Sequence, residues 1–189
     1  MWRNTRERWG RISIGLHWLI AGLVLLVQVP AGIGMVSVGR GALQDALYNT
    51  HKTTGLVIFI LACLRLLWRL AFPAPALPAD IGGWQRLAAN LSHVTLYLLI
   101  FLLPISGFLY TAQGGFPVPF FMTWELSHLV PRDQRMAEFW KAVHLNAQLV
   151  LYAVVVIHVA AAFHHHRVRR DGTLRRMLSS RAPLPEGDR

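Results

Sequence analysis

Four long apolar stretches, separated by short polar segments rich in arginine, dominate the chain. A hydrocarbon core about 30 Å thick is crossed by roughly 20 mostly apolar helical residues, and all four stretches meet or approach that length. Residues 12–35 include only His17 and Gln28 as strongly polar side chains. Residues 48–72 have an apolar heart at 55–64, followed by Arg65 and Arg69. Residues 91–112 are interrupted by His93 and by Pro104 in the run LLPISG. The fourth span, set at about 139–165, is apolar over 142–163 apart from His144, Asn146, Gln148 and His158. A soluble bundle needs charged outer faces on its helices, and these segments are apolar all round. The second span is the weakest by hydropathy, but long arginine side chains near a helix end reach the interface. The pattern predicts an all-α fold: one integral-membrane domain over residues 1–189, built as a transmembrane four-helix bundle.

Arg3 to Arg11 followed by LIAGLVLLV imitates a secretory signal. The apolar run is too long for one and three more follow, so it is read as a retained first span. FPAPALPADIGG, in the 71–90 connection, is rich in Pro and Gly and reads as a loop. TTGL at 53–56 reads as a helix start rather than a phosphate cradle. No phosphate-binding glycine loop, HExxH zinc motif or GxSxG nucleophile elbow is present.

Composition sharpens this picture. The chain has 189 residues, 54% hydrophobic and 15% charged, and a net charge of +10; soluble domains carry about a quarter charged residues. So much apolar content excludes disorder, and the lone Cys63 excludes a disulfide scaffold. The charge tracks topology. With four spans, Arg3, Arg6, Arg8, Arg11, Arg65, Arg69, Arg86, Arg167, Arg169, Arg170, Arg175, Arg176, Arg181 and Arg189 share one side. The other side holds Arg40, Lys52, Arg132, Arg135 and Lys141. Lys/Arg-rich loops stay cytoplasmic, which puts both termini and the basic tail at 166–189 on the cytoplasmic side. The charge marks a membrane rim, in contact with lipid, and implies no nucleic-acid partner. Trp and Tyr residues near span ends fit an interfacial belt.

Five histidines fall in or at the start of the spans: His17, His51, His93, His144 and His158. Ionisable groups at membrane depth are costly and mark functional sites. His144 and His158 lie 14 residues apart, about 21 Å along a helix and on nearly one face. His17 matches His158 in depth on the cytoplasmic side, and His51 matches His144 on the outer side. Paired imidazoles between bundle helices suit haem iron, whereas zinc wants four clustered ligands, often with Cys. No CxxCH motif is present, so any haem is non-covalent and of b type. His93 could replace His17 as a ligand, meet a haem propionate or line a quinone pocket. His128 reads as a solvated loop residue. His164, His165 and His166 form an interfacial rim in which His165 could touch a propionate or a quinone head group. Arg65 and Arg69 share a helix face; Arg65 either pairs with a propionate or anchors the interface.

ISIGLHWL at 12–19, HKTTG from His51, RLLWRL at 65–70, LSHVTLYLLIFLLPISGFL at 91–109, VHLNAQLVLYAVVVIHVAAAFHHH at 143–166 and the following RDGTLRRML resemble the prokaryotic cytochrome b561 family over nearly the whole chain. The resemblance implies a four-helix membrane cytochrome with two b haems. It carries the axial ligands onto His17 and His158 for the cytoplasmic-side haem and His51 and His144 for the periplasmic-side haem. It also implies electron transfer between a periplasmic donor and ubiquinone, bound or passing as substrate. Superoxide is one such donor; related subunits serve hydrogenases or other dehydrogenases instead. Lys52 beside His51, and Lys141 three residues before His144, would steer a small anion such as superoxide, or equally an acidic redox partner. A haem-free transporter using the histidines as proton relays is the reading from another class.

Overall fold

The computed structural model describes residues 1–76, 81–121 and 123–180. Part of the 71–90 connection and the last two arginines of the basic tail, Arg181 and Arg189, lie outside the described residues. Four helices long and apolar enough to cross a membrane are present among them.

Helix α1 runs Arg11–Ser37. Its middle, Leu23–Gln28, is π-helical, and ordinary α-helix resumes over Val29–Ser37. Pro30 lacks an N–H and its ring crowds the carbonyl one turn back; a widened turn absorbs that clash. Helix α2, Ala42–Ala71, begins after Gly41, whose φ of 149° suits glycine. Asp45 in its first turn and Arg69 in its last both complement the helix dipole. Helix α3, Gly83–Gln113, contains Pro104 and stops at Gly115, with φ of 80°. There the Gly115 and Phe116 N–H groups return to the carbonyls of Ala112 and Thr111.

A two-residue hairpin follows, β1 Pro119–Phe120 against β2 Trp124–Glu125, with Phe120 opposite Trp124. Helix α4 spans Gln134–Arg169. Asp133 caps it by accepting the Met136 N–H at 3.0 Å. Its end is π-helical over His165–Arg169 and closes on Arg170 in the left-handed region. Helix α5, Thr173–Leu178, completes the described chain.

Two sequence readings change. TTGL does not start a helix, because α2 is already three turns long there, begun at the Gly41 corner. Residues 83–90, expected as loop, form the first two turns of α3; Trp84, Arg86 and Leu87 make an interfacial extension that hydropathy alone does not register.

Small residues pack closest: Ala31, Ala62, Ala112, Ala137 and Ala147 are buried, as is Ser106. This is how helices associate where lipid replaces water. Leu26, Leu98, Val156 and Ile157 stand exposed on the same helices, an exterior hydrocarbon accepts and water does not. Two compact units share the four helices: one comprises Leu19–Ala62 and Leu98–Val150, the other Met1–Trp18, Cys63–Tyr97 and the segment from Leu151.

Candidate functional site

Within the first unit, His51 of α2 and His144 of α4 face each other with ring centroids 6.3 Å apart and planes crossed at 77°. Helices α1 and α3 hold them. His51 Nδ1 lies 3.3 Å from the Gln28 carbonyl, and His144 Nδ1 lies 3.0 Å from that of Leu103. A carbonyl only accepts, so each Nδ1 carries the proton and each Nε2 keeps its lone pair. The Gln28 amide donates to the His51 lone pair at 3.1 Å, while its own Oε1 is buried without a partner among the described residues. Ser106 donates to the Leu103 carbonyl at 3.1 Å and lies 3.2 Å from His144 Nδ1.

Within the other unit, His17 of α1 and His158 of α4 show the same 6.3 Å separation, crossed at 64°. His93 of α3 lies closer to His158, with centroids 5.7 Å apart. Arg65 of α2 interacts electrostatically with His17, His93 and His158, and its Nη1 donates to the Ser13 carbonyl at 3.1 Å. Arg69 lies over the Tyr97 ring at 5.5 Å. Arg65, Arg69, Trp68, Tyr97 and Ser13 line one small cavity, where the buried Trp68 Nε1 and Tyr97 hydroxyl have no partner among the described residues.

These features fit b haem. Two imidazoles on opposite sides of one metal, each bonded at about 2.0–2.1 Å through a nitrogen about 1.1 Å from its ring centre, have centroids about 6.2–6.4 Å apart. Both 6.3 Å pairs match that span, and the 5.7 Å His93–His158 pair falls short of it. Among the described residues no group of three or more His, Cys, Asp or Glu is placed to hold a bare metal ion. Trp68 and Tyr97 offer donors, and the two arginines charge, to an acceptor-rich anionic group.

Residues 8–180 match the family described as prokaryotic cytochrome b561. The chain belongs to the prokaryotic cytochrome b561 family. It is 32% identical to cytochrome b561 homolog 2 of Escherichia coli K12 over 179 residues, 93% of each chain. It is 28% identical over 173 residues to the probable superoxide oxidase CybB of Yersinia pestis, covering 91% of this chain and 96% of that one. Members of the cytochrome b561 family carry b-type haem and transfer electrons in membranes, and the helical bundle described above is theirs.

The other sequence-predicted residues of this cytochrome b561 member sit as follows. Lys52 is tied down: its Nζ donates to the Pro117 carbonyl at 2.7 Å and lies 6.0 Å from the Tyr48 ring. Lys141 stands exposed with its Nζ 3.8 Å from Glu138. Both flank the His51–His144 site in sequence, yet each ammonium already has a neighbour. His165 pairs through Nδ1 with Asp171, which also receives the Arg169 Nε at 3.2 Å. Sequence reasoning missed Ser106 and Tyr97 as site residues, gave Gln28 no role, and read Trp68 as one of the span-end aromatics, one or two of which could also stack on a haem or quinone. Gln28 alone carried a signal, as a buried amide two residues before a mid-span proline.

Proposed function

We propose that the chain moves electrons across the membrane through two bis-histidine b haems, oxidising superoxide at the periplasmic face and reducing ubiquinone. The equal 6.3 Å spacing of the two histidine pairs carries this reading. His51 and His144 would hold the periplasmic-side haem, and His17 and His158 the cytoplasmic-side one. The haems supply reversible one-electron chemistry. The chain's residues do the rest. Apolar helix faces exclude water, and the carbonyls of Gln28 and Leu103 orient the two outer imidazoles. Arg65, with Arg69, Trp68 and Tyr97, receives a propionate. His93, a poorer match than His17 for sharing an iron with His158, takes a propionate or quinone contact, as does His165.

Two superoxide anions give two electrons and leave as two O2; ubiquinone takes those electrons with two protons to become the quinol. Lys52 and Lys141 raise the local potential beside the outer pair. The name of the Yersinia pestis relative supports superoxide as donor. Stopped-flow mixing of the oxidised protein with superoxide is expected to reduce the haem rapidly, with rates that fall with salt and in Lys52→Gln. Slow reduction indifferent to salt overturns the superoxide reading. A second reading is a carrier subunit linking a dehydrogenase or hydrogenase partner to the quinone pool. The aromatic hairpin, with Phe121 and Trp124 exposed, favours it, and a stable complex after mild detergent extraction would decide for it.

A further inference from the structure

Gln28 and Leu103, whose carbonyls hold the outer imidazoles, each stand four residues before a glycine: Gly32 and Gly107. In a helix the carbonyl of residue i points toward residue i+4, whose Cβ leans back along the helix and covers the flank of that carbonyl. Glycine leaves the flank bare, and the two rings enter there. A Cβ on Gly107 would stand 3.0 Å from His144 Cε1 and 3.2 Å from its Nδ1; one on Gly32 would stand 3.1 and 3.2 Å from the same atoms of His51. Gly15, elsewhere on α1, would meet nothing within 4 Å. The arrangement occurs twice, on different helices, and each time beside an irregularity: the π-turn ending at Gln28, and Pro104.

The second pair is built differently. Among the described residues no hydrogen bond reaches the ring nitrogens of His17 or His158, and the nearby permanent charge is the Arg65 guanidinium. An imidazole whose N–H donates to a carbonyl is a more basic ligand and favours the oxidised metal. A cation favours the added electron; Lys52 also acts on His51, but as the weakest influence there, whereas Arg65 is the strongest charge acting on His17.

We propose that Gly32 and Gly107 are positioning residues: by baring the Gln28 and Leu103 carbonyls they make the iron held by His51 and His144 the more reducing of the two, so that the chain itself directs electrons from the outer site to the inner one. The inference rests on the two-haem reading above. Gly32 and Gly107 fix ring placement and tautomer at one site; Arg65 draws the electron to the other.

Anaerobic potentiometric titration of the purified full-length protein, with haem content and low-spin EPR measured alongside, tests this. Two one-electron waves are expected. Arg65→Gln lowers only the upper wave. Gly107→Ala raises only the lower one, by at least a tenfold change in its reduction equilibrium, about 59 mV. Gly15→Ala moves neither. Should Gly107→Ala lose a haem, Gly32→Ala, with the looser ring contact, supplies the same measurement, and Arg65→Gln still decides the polarity. The inference is overturned if Arg65→Gln moves the lower wave, or if the glycine variants keep both waves within threefold of the unaltered protein. Fewer than two low-spin haems in the unaltered protein sinks the two-haem reading instead, so the two failures are distinguishable.

Discussion

His158 has two imidazole neighbours, and the proposed function pairs it with His17 on the ground of distance. The 6.3 Å to His17 matches the separation of two imidazoles on one iron more closely than the 5.7 Å to His93 does. His93→Ala is therefore expected to keep two haems per chain with bis-histidine low-spin spectra, whereas His17→Ala and His158→Ala each lose one. Loss of a haem from His93→Ala, with His17→Ala retaining both, would exchange their roles. The four pairing histidines were legible from spacing because helical rise converts sequence separation directly into depth. What holds them was not. The partners of His51 and His144 are backbone carbonyls, which carry no side-chain signature, and only the glycines four residues on leave a trace. Trp68 and Tyr97 were equally hidden: an aromatic near a span end reads as an interfacial anchor until its polar atom is found buried and unpaired.

At the scale of elements, the helices depart from regularity just before Pro30 and at the end of α4, while α3 runs on through Pro104. The mid-span prolines, Pro30 and Pro104, were visible in the sequence, but their effect on which carbonyl becomes accessible depends on the three-dimensional path. The start of α3 at Gly83 was not legible, because its first two turns mix Trp, Gln, Arg and Asn and lack an apolar signal. The end of α4 depends on Asp171, which is buried and accepts the Thr173 N–H at 3.0 Å as well as its bonds from His165 and Arg169. Burial alone would raise the Asp171 carboxyl, but the hydrogen bonds from His165 and Thr173 outweigh it and hold it below the usual carboxylate range. A depressed folded pKa means the stabilisation from this hydrogen-bonded junction is fully present above the ordinary value of 3.8 and is lost as pH falls through the lower folded one. Asp171→Ala is expected to weaken the α5 junction by about 1–2 kcal/mol. Limited trypsin cleavage at Arg175 and Arg176 then accelerates roughly five- to thirty-fold. Asp171→Asn, which keeps an acceptor for Thr173, loses less. Equal cleavage of all three proteins would show that the Asp171 contacts do not hold α5 in place.

Across the whole molecule, charge and apolar surface describe one arrangement. The helices carry Leu26, Leu98 and Val156 outward, where hydrocarbon replaces water. Most of the arginines collect before and at the start of α1, in the last turns of α2, in the first turn of α3, and at and beyond the end of α4. In the proposed orientation these segments stay on the cytoplasmic side, with His17, in the second turn of α1, and His158, late in α4, toward the cytoplasm. On that proposal His51 and His144 face the periplasm, and a donor confined to that compartment meets them first. Superoxide is an anion that crosses hydrocarbon poorly, so sidedness is measurable. Sealed right-side-out vesicles exposed to externally generated superoxide are expected to reduce their haem on the order of tenfold faster than inside-out vesicles, with the advantage shrinking as salt screens Lys52 and Lys141. Equal rates from the two faces would mean that entry is not confined to the His51–His144 site. The opposite preference would reverse the orientation and make the arginine-rich rim, with its much higher positive charge, the surface that receives the anion.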